Sequence, residues 1–314
     1  MKKSPILIAI LLLSLLLFSC ELFIEEPQAG KVYAIFVALD YKHLENIDNH
    51  LNGTIPDAKE QEQAFAKISV NAGLDYHSFL FIQEGDSVEN ETEHVIGGET
   101  INAYPSPANV EAAIAALKSI TQKDDLILFT FSGHAAGGTI SLGPPNKKQV
   151  LDYDVSDLLE AFSSVKGRKL IILDACKTGL SIPIDPASSS TLLENSIATW
   201  YAKYASSNRS AKNDLFVMTS SAATDSYEIH FDGVAHGVFT HALLRGLGWN
   251  QSKGDLTTTI PPAAKGNRLT VDGLLTYIKK NQVFPIKRTL RNPISTFQHP
   301  MVTGGALDMV LFTF

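Results

Sequence analysis

Apolar residues in this chain gather in short unbroken runs, separated by stretches in which they recur every three or four positions. KVYAIFVALD (31–40), HSFLFI (77–82), DLILFTF (125–131), RKLIILDAC (168–176) and DLFVMTSS (214–221) have strand length and are bounded by breakers. Continuous rather than alternating apolarity marks strands covered on both faces, the pattern of a mostly parallel sheet between layers of helices. Helical spacing fills the intervals: DAKEQEQAFAKISVNAG (57–73), SPANVEAAIAALKSI (106–120), SDLLEAFSSV (156–165), GVFTHALLRGLG (237–248) and TVDGLLTYIKKN (270–281). Ser106 ahead of Pro107 predicts a helix N-cap. The expected order is β-α-β-α-β-α-β, a break, then β-α-α, which makes an α/β chain with a central, mostly parallel sheet of about six strands and helices on both faces.

Two segments resist this scheme. Residues 84–104 hold six carboxylates and no Lys or Arg and read as a solvated hairpin or loop, with a divalent-cation site as the alternative. Residues 181–213 form a long Ser-rich connection between the fourth and fifth strands; loops of that length inside a compact domain are usually functional or disordered. No internal repeat is present.

The chain opens with MKKSPILIAILLLSLLLFSC, two lysines and an apolar run that ends in a small residue and Cys20, which reads as an export signal. The run from Pro5 to Phe18 is shorter than the ~20 residues that span a bilayer. LFSC resembles the lipobox of bacterial lipoproteins. That implies a signal peptide over 1–19, lipid on Cys20, a tether over 20–30, a folded domain over 31–314, and a membrane-anchored protein on the periplasmic face or cell surface. Cysteine use fits: with Cys20 lipidated, Cys176 is an unpaired thiol, either buried and inert or reactive.

Composition narrows the chemistry further. A net charge of -7, with no basic stripe and no Lys or Arg interleaved with aromatics, excludes the electrostatic footprint of nucleic-acid binding. No G-x-S-x-G, H-E-x-x-H, G-x-G-x-x-G or P-loop occurs, and His230, His236 and His241 lack a recognised ligand spacing, so no metal site is assigned.

In open parallel sheets, chemistry collects outside the carboxyl ends of the strands. His134 in LILFTFSGHAAGG lies just past one such end and Cys176 just past another, one β-α-β crossover later, so their strands should be neighbours. A thiol with an ordinary pKa near ~8.5 needs a base beside it to be nucleophilic at neutral pH.

FTFSGHAAG and LIILDACKTG resemble the two signature segments, S-G-H and D-x-C, of the caspase-like cysteine peptidases (family C14), especially bacterial and metacaspase-type members. VYAIFVALDYKH, LNGTIPDAKEQEQAF, DLFVMTSSAATDSYE, HGVFTHALLRGL and LTVDGLLTYIKK continue the resemblance in order over roughly 31–311. It implies a caspase-like fold with a large-subunit-like part (31–180), a connecting loop (181–213) and a small-subunit-like part (214–314). It also implies a cysteine endopeptidase in which His134 is the general base and Cys176 the nucleophile, with the backbone N–H groups of Ala135 and Cys176 forming the oxyanion hole. Ala135 stands where the family usually has Gly, and Lys177-Thr178-Gly179 where it has His-Ser-Gly.

Asp57 and Asp174, flanked by Ser132 and Thr54, match the acidic S1 residues of metacaspases. Two such carboxylates should favour Arg or Lys at P1; as alternatives, Asp57 would be a helix N-cap and Asp174 a backbone acceptor. Lys203, Arg209 and Lys212 in the connection are candidate self-cleavage points. Calcium activation, familiar in metacaspases, finds no clean ligand set, Asp185 being the nearest candidate, and no other cofactor is implied. Metacaspase-type chains tend to be monomers, and protein or peptide substrates are the implied partners. The rival of a different class is a catalytically inactive caspase-like binding or scaffold module tethered to the membrane.

Overall fold

The computed structural model describes residues 30–44, 50–144, 149–176, 186–207, 214–221, 226–282, 298–305 and 307–314, with Cys176 and 186–192 described as far as the backbone. Cys20, Asp185, Arg209 and Lys212 lie outside the described residues. The first half runs β1 (Lys31–Leu39), α1 (Thr54–Asn71), β2 (Asp75–Gln83), β3 (Glu93–Ile96), β4 (Glu99–Asn102), α2 (Pro107–Ile120), β5 (Leu126–Ala136), β6 (Thr139–Leu142), β7 (Leu151–Asp154) and α3 (Val155–Ser163). The second runs β8 (Arg168–Cys176), α4 (Pro186–Ser207), β9 (Leu215–Thr219), β10 (Glu228–Phe231), β11 (Val234–Gly237), α5 (Val238–Leu247), β12 (Trp249–Asn250), β13 (Asp255–Leu256), β14 (Arg268–Thr270), α6 (Val271–Asn281), β15 (Met301–Thr303) and β16 (Val310–Thr313).

The central sheet has the order β15-β9-β8-β5-β1-β2, with β6 and β7 continuing from the end of β5. Its inner pairings are parallel, and β15 closes one edge antiparallel to β9. Each strand places alternate residues on opposite faces, and both faces are apolar, which is why the runs in the sequence are continuous. Ile35, Val37, Phe129, Phe131, Ile171, Leu173 and Val217 pack against α2, α3 and α4. Ala34, Phe36, Leu128, Leu170, Ile172, Phe216 and Met218 pack against α1, α5 and α6. The expected three-layer α/β architecture is what the chain adopts.

Local signals hold where they are strong. The Ser106 side chain accepts from the Asn109 N–H at 3.2 Å, with Pro107 opening α2, and residues 93–102 form an antiparallel hairpin. The connection over 181–213 differs from a plain loop: α4 occupies 22 residues of it. Leu193, Ile197 and Trp200 of α4 are buried against the sheet, and the Trp200 indole N–H donates to Glu160 at 3.0 Å, tying α4 to α3. Tertiary burial of that face overrides the weak helix propensity of its serines.

Ser106→Ala should cost about 1 kcal/mol in urea unfolding and Ser106→Gly only a few tenths, because glycine leaves the orphan amides accessible to water. Equal losses in the two variants would show that the hydroxyl is not acting as a cap.

Candidate active site

The carboxyl ends of β5 and β8 are where the candidate residues meet. The two strands pair in parallel register from Leu126↔Arg168 to His134↔Cys176, so Ser132 faces Asp174 across the ladder and His134 faces Cys176. Register partners share a face of the pleat. His134 lies within β5 rather than beyond it, because the chain returns through β6 and pairs Ala135 with Ile140. Ala135 has an ordinary negative φ; among the described non-glycine residues only Tyr41 and Asp232 have positive values. A Cβ at position 135 therefore meets no backbone strain, and its N–H is as usable as that of a glycine.

One layer below, along the same face, sit the acidic residues. Asp57 is in the first turn of α1 but is not its cap; Gly53 is the N-cap residue. Asp57 instead accepts from the Ser132 hydroxyl at 3.1 Å, the Gly237 N–H at 3.1 Å and His236 Nδ1 at 2.8 Å. Asp174 accepts from the Ser226 hydroxyl at 2.9 Å, the Thr240 hydroxyl at 2.7 Å and the Thr240 N–H at 3.2 Å, groups distant in sequence rather than neighbouring backbone. The two carboxylates converge on Gly237: a Cβ there would lie 2.3 Å from Asp174 Oδ2 and 3.2 Å from Asp57 Oδ2, so the site demands glycine. Thr54 is buried, and its hydroxyl donates to the Leu39 carbonyl at 2.8 Å rather than to either carboxylate.

His236 is the residue that sequence reasoning missed. Its side chain, like that of Asp57, is 1% exposed, and its Nε2 stands 3.5 Å from Glu60 Oε1. Burial alone would discharge the imidazole, but hydrogen bonding and Coulombic attraction to Asp57 and Glu60 outweigh it and push its pKa up to about 9. Burial also raises Asp57, to about 7, against the pull of His236; Asp174 adds to the rise by repulsion. Asp174 is raised chiefly by burial, with its hydroxyl donors pulling it back. Asp57 thus has a cation already beside it, whereas Asp174 is met by hydroxyls and an amide. Glu60 is held in turn by the Trp249 indole N–H at 2.7 Å.

The β10–β11 hairpin, which carries His236, is clamped to α1 through Glu228. Its carboxylate accepts from the Asn52 N–H at 3.0 Å and the Gly53 N–H at 2.9 Å, filling the role of an N-terminal cap from 175 residues away. Nothing in local sequence signals that contact. Among the described residues, no group of three or more His, Cys, Asp or Glu is arranged to hold a metal ion. Of the candidate self-cleavage points, Lys203 lies in α4, where the chain must unwind before it can lie extended in a protease cleft.

A family model described as the caspase domain, Peptidase C14, matches residues 31–266. A crystal structure of a protein from Geobacter sulfurreducens is 15% identical, covers 88% of this chain and 93% of that chain, and has a TM-score of 0.46. No curated protein matches the chain.

The buried pair sets a pH dependence of stability. The imidazolium of His236 contributes fully below about 6.5, the ordinary histidine value, and the contribution is lost as pH rises through about 9. Thermal unfolding should therefore show Tm falling across that window. Asp57→Asn, which removes the charge that holds the imidazolium, should flatten the fall; an unchanged slope would contradict the assignment.

Proposed function

Because this chain belongs to the caspase domain family, Peptidase C14, we propose that it is a cysteine endopeptidase in which a Cys176–His134 dyad cleaves peptide bonds after Arg or Lys. The observation that carries this reading is the β5–β8 register, in which the family's histidine and cysteine positions are direct partners at the strand ends. His134 takes the thiol proton, and the thiolate attacks the scissile carbonyl carbon, forming a C–S bond. The oxyanion is met by the N–H groups of Ala135 and Cys176. Collapse breaks the C–N bond while His134 returns the proton to the leaving amine. Water, deprotonated by His134, then hydrolyses the thioester and frees both the acid product and the thiol.

The preference for a basic P1 rests on charge. Asp57 and Asp174 are two carboxylates on the face that bears His134, and only Asp57 is bonded to the His236 imidazolium, so the site holds an excess of negative charge when both acids are ionised. Burial that raises both pKa values means that an arriving guanidinium or ammonium would relieve strain that a neutral side chain would not. Ser132 would line the same pocket, with Thr54 supporting its wall at the end of β1. Lipidated Cys20 would hold the monomeric enzyme at a membrane surface, where it acts on protein or peptide substrates. Self-cleavage after Arg209 or Lys212 belongs to the same reading, as does cleavage after Lys203, which would need α4 to unwind first.

The test is fluorogenic peptides with Arg, Lys, Asp or Leu at P1, with and without calcium. Cys176→Ala and His134→Ala should each reduce kcat/KM by about 10³-fold or more. Asp174→Asn should lower turnover of Arg and Lys peptides by about 10²-fold while leaving any residual Leu cleavage in place. Cleavage after Asp alone would refute the acidic pocket and keep the dyad. Silence on every peptide, with Cys176 unreactive to a thiol probe, would favour an inactive binding module.

A further inference from the structure

Tyr41 is bound to the site more closely than core packing requires. It follows β1 by two residues and is fully buried, with a φ of 59°. That left-handed backbone costs a residue with a Cβ about 1 kcal/mol or more and persists only where surrounding contacts demand it. The contacts are visible. The Tyr41 N–H donates to Gln83 Oε1 at 3.1 Å, and its hydroxyl donates to the Ser141 carbonyl at 2.9 Å. The same hydroxyl accepts the His134 N–H at 2.8 Å. Its ring stacks on the His134 imidazole with centroids 4.2 Å apart and planes 26° apart.

Gly133 completes the arrangement. A Cβ at that position would lie 2.4 Å from the Tyr41 hydroxyl and 2.6 Å from Phe131 Cζ, so the glycine preceding His134 is needed for the tyrosine to reach across. One residue thus grips His134 by its main chain and by the face of its ring, and two further strands, β2 and β6, hold that residue from either side.

We propose that Tyr41 is a positioning residue for His134: its hydroxyl fixes the backbone at the end of β5, and its ring fixes the plane of the imidazole and favours the imidazolium that forms when the thiol gives up its proton. This rests on the reading of His134 as the base of Cys176. A tyrosine serving the core alone would need neither the left-handed backbone nor the stack.

Alkylation of the Cys176 peptide by iodoacetamide, followed across pH by mass spectrometry in the full chain, reads the thiolate directly. It is paired with kcat and KM on the preferred peptide. Wild type should alkylate with an apparent pKa below that of His134→Ala; identical profiles would overturn the dyad itself, a failure distinct from that of Tyr41. Given the dyad, Tyr41→Leu should raise the apparent pKa by about half to one unit and cut kcat by at least about tenfold with KM within about twofold. Tyr41→Phe keeps the ring, so it should retain the wild-type alkylation profile while losing several-fold in kcat. A wild-type profile and kcat in Tyr41→Leu would overturn the proposal. If that variant does not fold, Tyr41→Phe decides: a several-fold lower kcat supports the hydroxyl's grip on His134, and an unchanged kcat overturns it.

Discussion

The parallel ladder between β5 and β8 is the constraint on which the rest of the site depends. Its register carries two candidate site pairs in succession, Ser132 with Asp174 and then His134 with Cys176. Because strand side chains alternate, all four positions fall on one face, the face that lower in the sheet packs Leu128, Leu170 and Ile172 against α1, α5 and α6. A slip of one residue would send one strand's pair to the opposite face, among the residues that contact α2, α3 and α4. The apolar runs that precede the pairs, buried on both sides, are what forbid such a slip. Core and chemistry are therefore one continuous design: the hydrophobic effect sets the register, and the register delivers the polar residues.

Placing carboxylates at the top of a doubly covered sheet carries a desolvation cost, and the structure answers it with partners drawn from the second half of the chain. Asp174 is met by Ser226 and Thr240, Asp57 by His236 and the Gly237 amide. Glu228, on the same hairpin as His236, returns the tie by capping the start of α1. The second half of the chain thus closes the site laid down by the first, and the contacts are reciprocal: each half satisfies buried polar groups of the other. Gly237 is small because two carboxylates approach the same point, as Gly133 is small because Tyr41 crosses above it. At both places the absence of a side chain is what lets a polar group from elsewhere in the chain come close.

Much of this was legible in sequence. The five strand runs, the helical spacing and Ser106 as a cap all report local physics, periodicity and backbone capping, that acts within a few residues. The adjacency of the His134 and Cys176 strands also followed, from the shortness of one crossover. Helix α4 was missed, although Leu193, Ile197, Trp200 and Tyr204 recur at helical intervals, because abundant serines made the segment read as loop. The extension of β5 past His134 was missed because it depends on the return of β6. The partners of the site were beyond reach in kind: His236 meets Asp57 across 179 residues and Tyr41 meets His134 across 93.

The sequence by itself determined the α/β layering, the five main strands with the helices between them, and the two signature segments, because burial pattern and turn chemistry are properties of short stretches. Tertiary structure alone decided which charges face one another, that a buried imidazole stands beside Asp57, and that a strained tyrosine holds His134. Those outcomes depend on distance and desolvation between segments that neither periodicity nor spacing connects.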